Sequence, residues 1–468
     1  MPEPKPTLAE LPYYEDSAAL FAPWADSPWA VFLDSGYPHS RQGRYDILAA
    51  DPYLTLATCG ESTTIREHGH TRQSADNPFT LLKQALGQGI APVPGLPFPG
   101  GALGYFGYDL ARRLEKLPTL AADAEQIPDM LAGLYDWALV VDHHERRTWL
   151  VGQGRDPATA ARWPHLCHVF SHLPTIDLPR KSFRVSGPVS ANLSHDGYAQ
   201  AFQRIQRYIR DGDCYQVNLA QRFAAPCQGS PWTAYEILRH INPAPFSAYL
   251  NYREAQILSS SPERFLRVQD GIVETKPIKG TGPRSPNPEE DMYSMQALRE
   301  SLKDRAENLM IVDLLRNDLG KNCQPGSVHV PVLFAVESFA TVHHLVSTVR
   351  GRLAAGQHAL DLLRDSFPGG SITGAPKIRA MEIIEELEPN RRGVYCGAIG
   401  YIGYDGGMDT NIAIRTLVHS AGNIRFWAGG GIVADSELES EYRECHHKAA
   451  ALQTLLKHFA AAPDDFYA

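Results

Sequence analysis

The sequence predicts an α+β fold of antiparallel β-sheets with helices packed outside them, and three observations carry that expectation. GVYCGAIGYIGY, MDTNIAIRTLVH and NIRFWAGGGIV follow one another as β-type runs with hairpin-length connections, which antiparallel strands allow and parallel strands do not. Helical and β-type runs alternate irregularly in the second half, without the regular strand-helix rhythm of a doubly wound sheet. The first part holds short β-rich pieces, WAVFLDSG, GALGYFGYDL and WALVVD, between polar turns and shows no long amphipathic helix.

In chain order, residues 1–175 read as a β-rich amino-terminal region and residues 176–468 as a second region, the two forming one compact unit. Pro174 to Ser194, rich in Pro and Ser, is the connector between them. Tyr198, Phe202, Ile205, Tyr208 and Ile209 then recur at helical spacing, which predicts a helix over Asp196–Asp211. The β-type runs QVNLAQRF, FSAYLNY, QILSSSPERFLRV and IVETKPIKG precede a helical block from Met295 to Leu319. SFPGGSITGAPKIRAMEIIEELE runs a glycine-rich loop into a helix, where backbone N–H groups could face an anion. It is no nucleotide-binding phosphate loop, because Lys377 follows Ala-Pro and no Ser or Thr succeeds it. In the last helix Asp435 and Ser436 are the expected caps, with Glu439 completing a Ser-x-x-Glu box. Leu438, Tyr442, Cys445, Ala449, Leu452 and Leu456 form its apolar stripe.

Composition excludes several classes of function. The 468 residues are 43% hydrophobic and 21% charged, with a net charge of −9 and dispersed Lys and Arg, which argues against a nucleic-acid footprint. No stretch has the apolar length of a membrane helix, and the first residues lack the basic start and apolar core of a signal peptide. A cytoplasmic location is expected. The seven cysteines are scattered and form no CxxC pair, so reduced thiols are expected.

Several constellations could carry chemistry. Glu437, Glu441, Glu444 and Lys448 stack on one flank of the last helix, and that helix alone reads first as a solvated charged flank with a Glu444–Lys448 pair. Asp304 and Glu307 lie three apart on a largely apolar helix. Two such helices, if they meet, form an oxygen-only site of the kind Mg²⁺ prefers. AGGGIV is either an anion-facing backbone or a simple glycine turn. Cys396, among glycines, reads as a small buried thiol. Of His343 and His344, strand alternation points one inward. Glu263 follows a strand and could be a cap, a surface charge or a catalytic acid. Lys279, in ETKPIKGTGPR, sits in a glycine-flanked turn where it projects into water or is held against something.

DCYQVNLAQR, SSSPERFL, PIKGTGPR, DRAENLMIVDLLRNDLG, VHHLVSTVRG, FPGGSITGAPK, GVYCGAIGY, NIAIRTL, AGGGIVADS and EYRECHHKA occur in this order, and together they resemble the chorismate-utilising enzymes. The match runs from about Ser194 to Leu456, and VFLDSG and GRYDILAADP extend it towards the start. The resemblance implies that family's fold, with residues 176–468 as the chorismate-binding catalytic region. It makes Lys279 the nucleophile that attacks C2 of chorismate, Glu263 the acid that protonates the departing C4 hydroxyl, and ammonia the group that then enters at C4. Mg²⁺ is the implied cofactor, with Glu307 and Glu444 as direct ligands and Glu441 and Asp304 holding waters.

Lys448 would support the ring carboxylate, and Tyr395, Arg415 and the backbone of Gly431 the enolpyruvyl carboxylate. Thr281, His344, Thr373 and Gly374 would line the same pocket. Lys279, where anthranilate synthases carry Ala, implies the branch that yields 4-amino-4-deoxychorismate. Gln216 stands where isochorismate and salicylate synthases carry a lysine that activates water, and since an amide cannot act as a base near neutral pH the resemblance disfavours water attack. No amidotransferase motif of the GxCxGxQ kind is present, so a glutamine amidotransferase subunit is the implied ammonia-supplying partner. Asp34, Ser35, Pro245 and Phe246 match segments that hold a tryptophan in related proteins. The competing readings are an anthranilate synthase large subunit and a catalytically silent, tryptophan-binding docking module.

Overall fold

The computed structural model describes residues 6–40, 43–172, 181–339 and 342–460. The connector from Pro174 and the boundary at 175 fall partly or wholly outside them. Two large sheets organise the chain, thirteen-stranded and twelve-stranded, and every pairing between named strands is antiparallel. The first runs from Thr7–Leu11 through Arg147–Gly152, Trp137–Asp142, Tyr45–Ala49, Ala30–Asp34, Phe246–Asn251, Gln256–Ser261, Thr416–Ser420, Asn423–Ile432 and Gln216–Gly229 to Phe183–Val185. The second runs from Ile278–Pro283 through Val342–Arg352, Ile272–Thr275, Arg264–Gln269, Met408–Ile412, Ala398–Gly403, Gly101–Phe106, Met130–Tyr135, Leu54–Cys59 and Ser62–Glu67 to His70–Ser74. Strands from before and after residue 175 therefore share both sheets.

Strand alternation builds two cores. Val31, Leu250 and Ile257 of the first sheet point towards the second and pack with Leu103, Tyr105, Leu134, Leu266 and Ile399. Their chain neighbours Phe32, Tyr249 and Leu258 point the opposite way, under helices Pro231–Ile241 and Leu438–Ala460. Each such side chain removed from water contributes about 1.5–3 kcal/mol, so a one-residue register slip would exchange the two cores and is strongly opposed. Helix Leu302–Gly320 packs on the second sheet, against Ile278–Pro283 and Val342–Arg352. Helix Leu438–Ala460 packs on the first, against Asn423–Ile432.

The predicted helix over Asp196–Asp211 is found as His195–Arg210, with Ser194 Oγ accepting from the Gly197 N–H. The block Met295–Leu319 is two helices, Pro288–Glu300 and Leu302–Gly320, because Ser301 leaves helical geometry and caps the second by accepting from the Asp304 N–H. Helix Pro157–Ser171 lies in the first region unannounced: only Thr159, Leu166 and Phe170 are buried, too few for an apolar stripe. In the last helix Cys445, Ala449, Leu452 and Leu456 are buried as expected.

The capping box does not form there. Ser436 Oγ accepts from the Val433 N–H and donates to Glu441 Oε1 at 2.7 Å, while Glu439 pairs with His195. AGGGIV is neither a turn nor a loop. It completes strand Asn423–Ile432, where a Cβ at Gly431 would meet the Gln216 side chain at 2.8 Å.

Candidate active site

Two corners where the chain passes from one sheet to the other lie side by side. Strand Gln256–Ser261 belongs to the first sheet and Arg264–Gln269 to the second, so Pro262 and Glu263 form the passage between them. Met408–Ile412 and Thr416–Ser420 make the return passage, with Arg415 at φ +49°. The corners are tied together by Ile412 N–H to Glu263 O at 3.0 Å, Ser260 N–H to Arg415 O at 3.1 Å, and Ser261 Oγ–H to Ile412 O at 2.6 Å. An acid and a guanidinium thus project from rigid, sheet-anchored backbone. Glu263 is buried, and burial raises its carboxyl above the usual carboxylate range against the pull of Lys279. The Arg415 guanidinium makes no hydrogen bond or ion pair with any described residue, and burial lowers its pKa.

Lys279 is neither projected into water nor paired directly with a carboxylate. The register of Ile278–Pro283 slips between Lys279 and Thr281, and Gly280 there has φ +74°. A Cβ at Gly280 would also meet Asp304 and Leu298 at 2.9 Å, so this bulge requires glycine and re-aims the lysine. Lys279 Nζ donates to Ser371 O at 3.1 Å, and Ser371 Oγ donates to Glu263 Oε1 at 3.1 Å. Burial pushes the amine below the ordinary lysine range, against the attraction of Glu263, Glu307 and Glu444. Two groups in one pocket, shifted in opposite directions towards neutrality, match the pattern of a nucleophile beside an acid.

The carboxylate helices do meet. Lys303 Nζ stands between them, 3.9 Å from Glu307 Oε1 and 3.6 Å from Glu441 Oε1. Glu441 is buried, not part of a solvated flank, and reaches Gly430 together with Glu444 and Lys448. Lys448 Nζ pairs with Glu444 Oε1 at 2.7 Å and donates to Gly429 O at 3.1 Å. Lys448 accordingly holds the Glu444 carboxyl below its ordinary range. Burial instead raises Glu307, against the pull of Lys279 and Lys303. Asp304 lies against Gly280, beside the lysine. Among the described residues, no three acidic, His or Cys side chains come close enough together to enclose an ion.

Other expected residues take varied places. His344 Nδ1 is 3.0 Å from Thr281 Oγ1, its buried Nε2 has no partner, and burial lowers its pKa to about 4, leaving it neutral. His343 is also buried, contrary to the alternation argument, because helix Pro288–Glu300 covers its face and Asp291 Oδ1 meets its Nε2 at 3.0 Å. Thr373 Oγ1 donates to Gly369 O at 3.0 Å, and Gly374 pairs with Val217. Tyr395 stacks on Trp427, with ring centroids 6.0 Å apart. Gly431 lies past Phe426, where pairing with Thr416–Ser420 ends, and both amide atoms of the adjacent buried Gln216 lack partners. Cys396 is a buried thiol, pushed up to about 12 by burial. Lys377 is bound by Asp318 at 2.7 Å and Ser366 O at 2.9 Å, a structural tie.

A separate cavity of about 580 Å³ lies between the sheets, lined by Asp34, Ser35, Pro245 and Phe246 together with Arg264 and Tyr401. Asp34 is already committed there, to Gly36 N–H, Tyr235 and Arg239. The Ser35 hydroxyl is buried without a partner.

Sequence reasoning missed Ser371, Lys303 and the pair Glu388–Arg392. Ser371 lies inside a recognised glycine-rich motif, but its role depends on two strands distant in sequence. Arg392 and Glu388, four apart at the end of helix Lys377–Leu387, carried the signal of an i,i+4 pair, without any sign of burial.

A family profile described as chorismate binding enzyme matches residues 31–454. Aminodeoxychorismate synthase component 1 of Klebsiella aerogenes is 50% identical over 448 residues, covering 95% of this chain and 97% of the relative. Anthranilate synthase component 1 of Streptomyces coelicolor is 41% identical over 402 residues, 82% of this chain and 78% of the relative. The crystal structure of anthranilate synthase component I from Streptococcus pneumoniae superposes with a TM-score of 0.76 at 34% identity, covering 87% of this chain and 92% of that one. With this match spanning both sheets and both carboxylate helices, the chain belongs to the chorismate-binding enzyme family, and its likeness is greater to the aminodeoxychorismate synthase component 1 relative than to the anthranilate synthase.

Proposed function

We propose that this chain exchanges the C4 hydroxyl of chorismate for an amino group, giving 4-amino-4-deoxychorismate, with Lys279 as covalent nucleophile and Glu263 as general acid. The observation that carries this reading is the half-buried Lys279 amine held against Ser371 O beside the buried Glu263, both shifted towards neutrality. The amine lone pair forms a bond to C2, the two ring double bonds shift, the C4–O bond breaks, and the Glu263 proton leaves with the oxygen as water. Ammonia then adds at C4, the double bonds return, and the lysine departs from C2. Proton donation of this kind contributes roughly 10²–10⁴-fold, and Arg415, whose guanidinium has no hydrogen bond or ion pair among the described residues, could take a substrate carboxylate.

Among the described residues no three carboxylates enclose an ion by themselves, and what supports Mg²⁺ here is that this ion takes one or two carboxylates, with waters and substrate oxygens completing its shell. The donors of the carboxylate cluster are all oxygen, and an ammonium already stands between Glu307 and Glu441. Glu307 and Glu444 would be direct ligands, with Glu441 and Asp304 holding waters. Bound there, the ion would neutralise the ring carboxylate and withdraw electron density from the diene.

A separate glutamine amidotransferase subunit supplies the ammonia, a reading supported by the "component 1" name of the relative and by the missing amidotransferase motif. Seven free thiols suit a cytoplasmic setting. Purified chain given chorismate, Mg²⁺ and ammonium should form a product that keeps its enolpyruvyl group and lacks anthranilate fluorescence. A chelator should stop the reaction and added Mg²⁺ restore it. Fluorescent anthranilate with released pyruvate would overturn the reading, as would no consumption of chorismate at all.

The cavity between the sheets is the proposed tryptophan site, because it has the volume of a small ligand pocket and an unpartnered Ser35 hydroxyl in its wall. L-tryptophan at a hundredfold excess over its Kd should stabilise the chain by about 2.7 kcal/mol, read as a higher Tm. An unchanged Tm at millimolar tryptophan would remove this ligand.

A further inference from the structure

We propose that Ser371 positions both reacting groups at once, its hydroxyl favouring the acidic proton of Glu263 on Oε2 and its carbonyl aiming the lone pair of Lys279. This rests on the roles proposed above for those two residues. Glu263 Oε1 receives two donors, Ser371 Oγ–H at 3.1 Å and, at the long distance of 3.5 Å, the Ile278 N–H. The carbonyl oxygen of a carboxylic acid accepts hydrogen bonds better than its hydroxyl oxygen, so two donors on Oε1 favour the neutral acid that carries its proton on Oε2. As it leaves with the C4 oxygen, both donors stabilise the carboxylate that forms. On the other side, a neutral Lys279 has two N–H bonds and one lone pair. One N–H is spent on Ser371 O, which turns the lone pair away from the carbonyl.

Ser371 is buried, and its loop is clamped on both sides. Arg392 Nη1 donates to Ile372 O at 2.9 Å, and the Asn218 N–H donates to Thr373 O at 2.8 Å. The backbone carbonyl therefore stays in place when the side chain is changed, and Ser371→Ala removes the hydroxyl alone. The charged or titratable groups that face Glu263 are Lys279, Lys448, Arg415 and Cys396.

The acid and amine share one proton in the working state, whether written as two neutral groups or as an ion pair. Activity is lost at low pH when both are protonated and at high pH when neither is, giving a bell. Loss of the Ser371 donor disfavours the Glu263 carboxylate, and this moves one limb of the bell to higher pH whichever form of the pair predominates.

The experiment compares Ser371→Ala and Ser371→Thr with the unaltered chain in ammonium-dependent turnover across pH. Ser371→Ala should lower kcat by about 10–100-fold, the range of one hydrogen bond to a charged group, and raise the pH of one limb by about one unit. KM for chorismate should stay unchanged, and Ser371→Thr, which keeps a hydroxyl, should recover most of kcat. A kcat and pH profile equal to the unaltered chain, or a fall in kcat with a raised KM and unmoved limbs, overturns the proposal. If Lys279→Ala and Glu263→Gln also turn over normally, the underlying reading fails with it. If those two are inactive while Ser371→Ala is normal, only the positioning role is lost.

Discussion

Lys279→Ala should abolish the amination of chorismate, with a loss of about 10³-fold or more, beyond the middle of the range expected for a general acid alone. The reason lies in what the amine replaces. Without it, ammonia from solvent or a partner must displace the C4 oxygen directly, with no amine held at Ser371 O to attack first. Folding should survive, because the lysine sits at a bulge and only its Nζ contact to Ser371 O is given up. Mass spectrometry provides the second readout. Chain incubated with chorismate and Mg²⁺ but no ammonia should carry an adduct equal to chorismate less water, mapped to residue 279 and missing from the variant. Undiminished turnover by Lys279→Ala, or an adduct on a different residue, would remove the covalent route.

Arg392→Ala should be the most destabilising single substitution near the site, by about 3–5 kcal/mol. Arg392 is fully buried and forms a two-point pair with Glu388, Nε to Oε2 at 2.9 Å and Nη2 to Oε1 at 2.7 Å. It also donates to Ile372 O and Asn218 O and lies over the Tyr108 ring. Glu388 in turn accepts from the Ala220 N–H at 2.9 Å. Removing the guanidinium leaves two carbonyls and a buried carboxylate without their partner, and burial already raises the Glu388 carboxyl. Urea unfolding should show the loss in midpoint with little change in slope. Replacing both partners by Leu and Met should cost less than Arg392→Ala alone, since no charge is then stranded. An Arg392→Ala chain within 1 kcal/mol of the parent, on the order of an exposed ion pair, would show that the network is not a stabilising tie.

Legibility varied with the range of the interaction that fixed each feature. Helix His195–Arg210 and the apolar stripe of Leu438–Ala460 were readable because their periodicity is set by a face only a few residues wide. The break at Ser301 was not, since a single capping serine competes against good helix formers on both sides. The capping box at Ser436 failed for a different reason: Glu441 offered its hydroxyl a partner closer to the cleft. Both histidines at 343 and 344 were buried because a helix covers the strand face that alternation assigns to solvent. Ser371 gave no signal, as its partners are separated from it by 92 and 108 positions.

By itself the sequence determined the antiparallel α+β class, the residue types able to do the chemistry and, by resemblance, the family, since these follow from local pattern and ordered motifs. Tertiary structure alone decided that Glu263 and Arg415 occupy adjoining passages between two sheets, that the Gly280 bulge turns Lys279 towards Ser371, and that two helices on different sheets face each other across Lys303. The physical reason is that burial and a neighbouring charge set whether a lysine or a glutamate is neutral, and both are properties of packed strands far apart in the chain, which no window of residues contains.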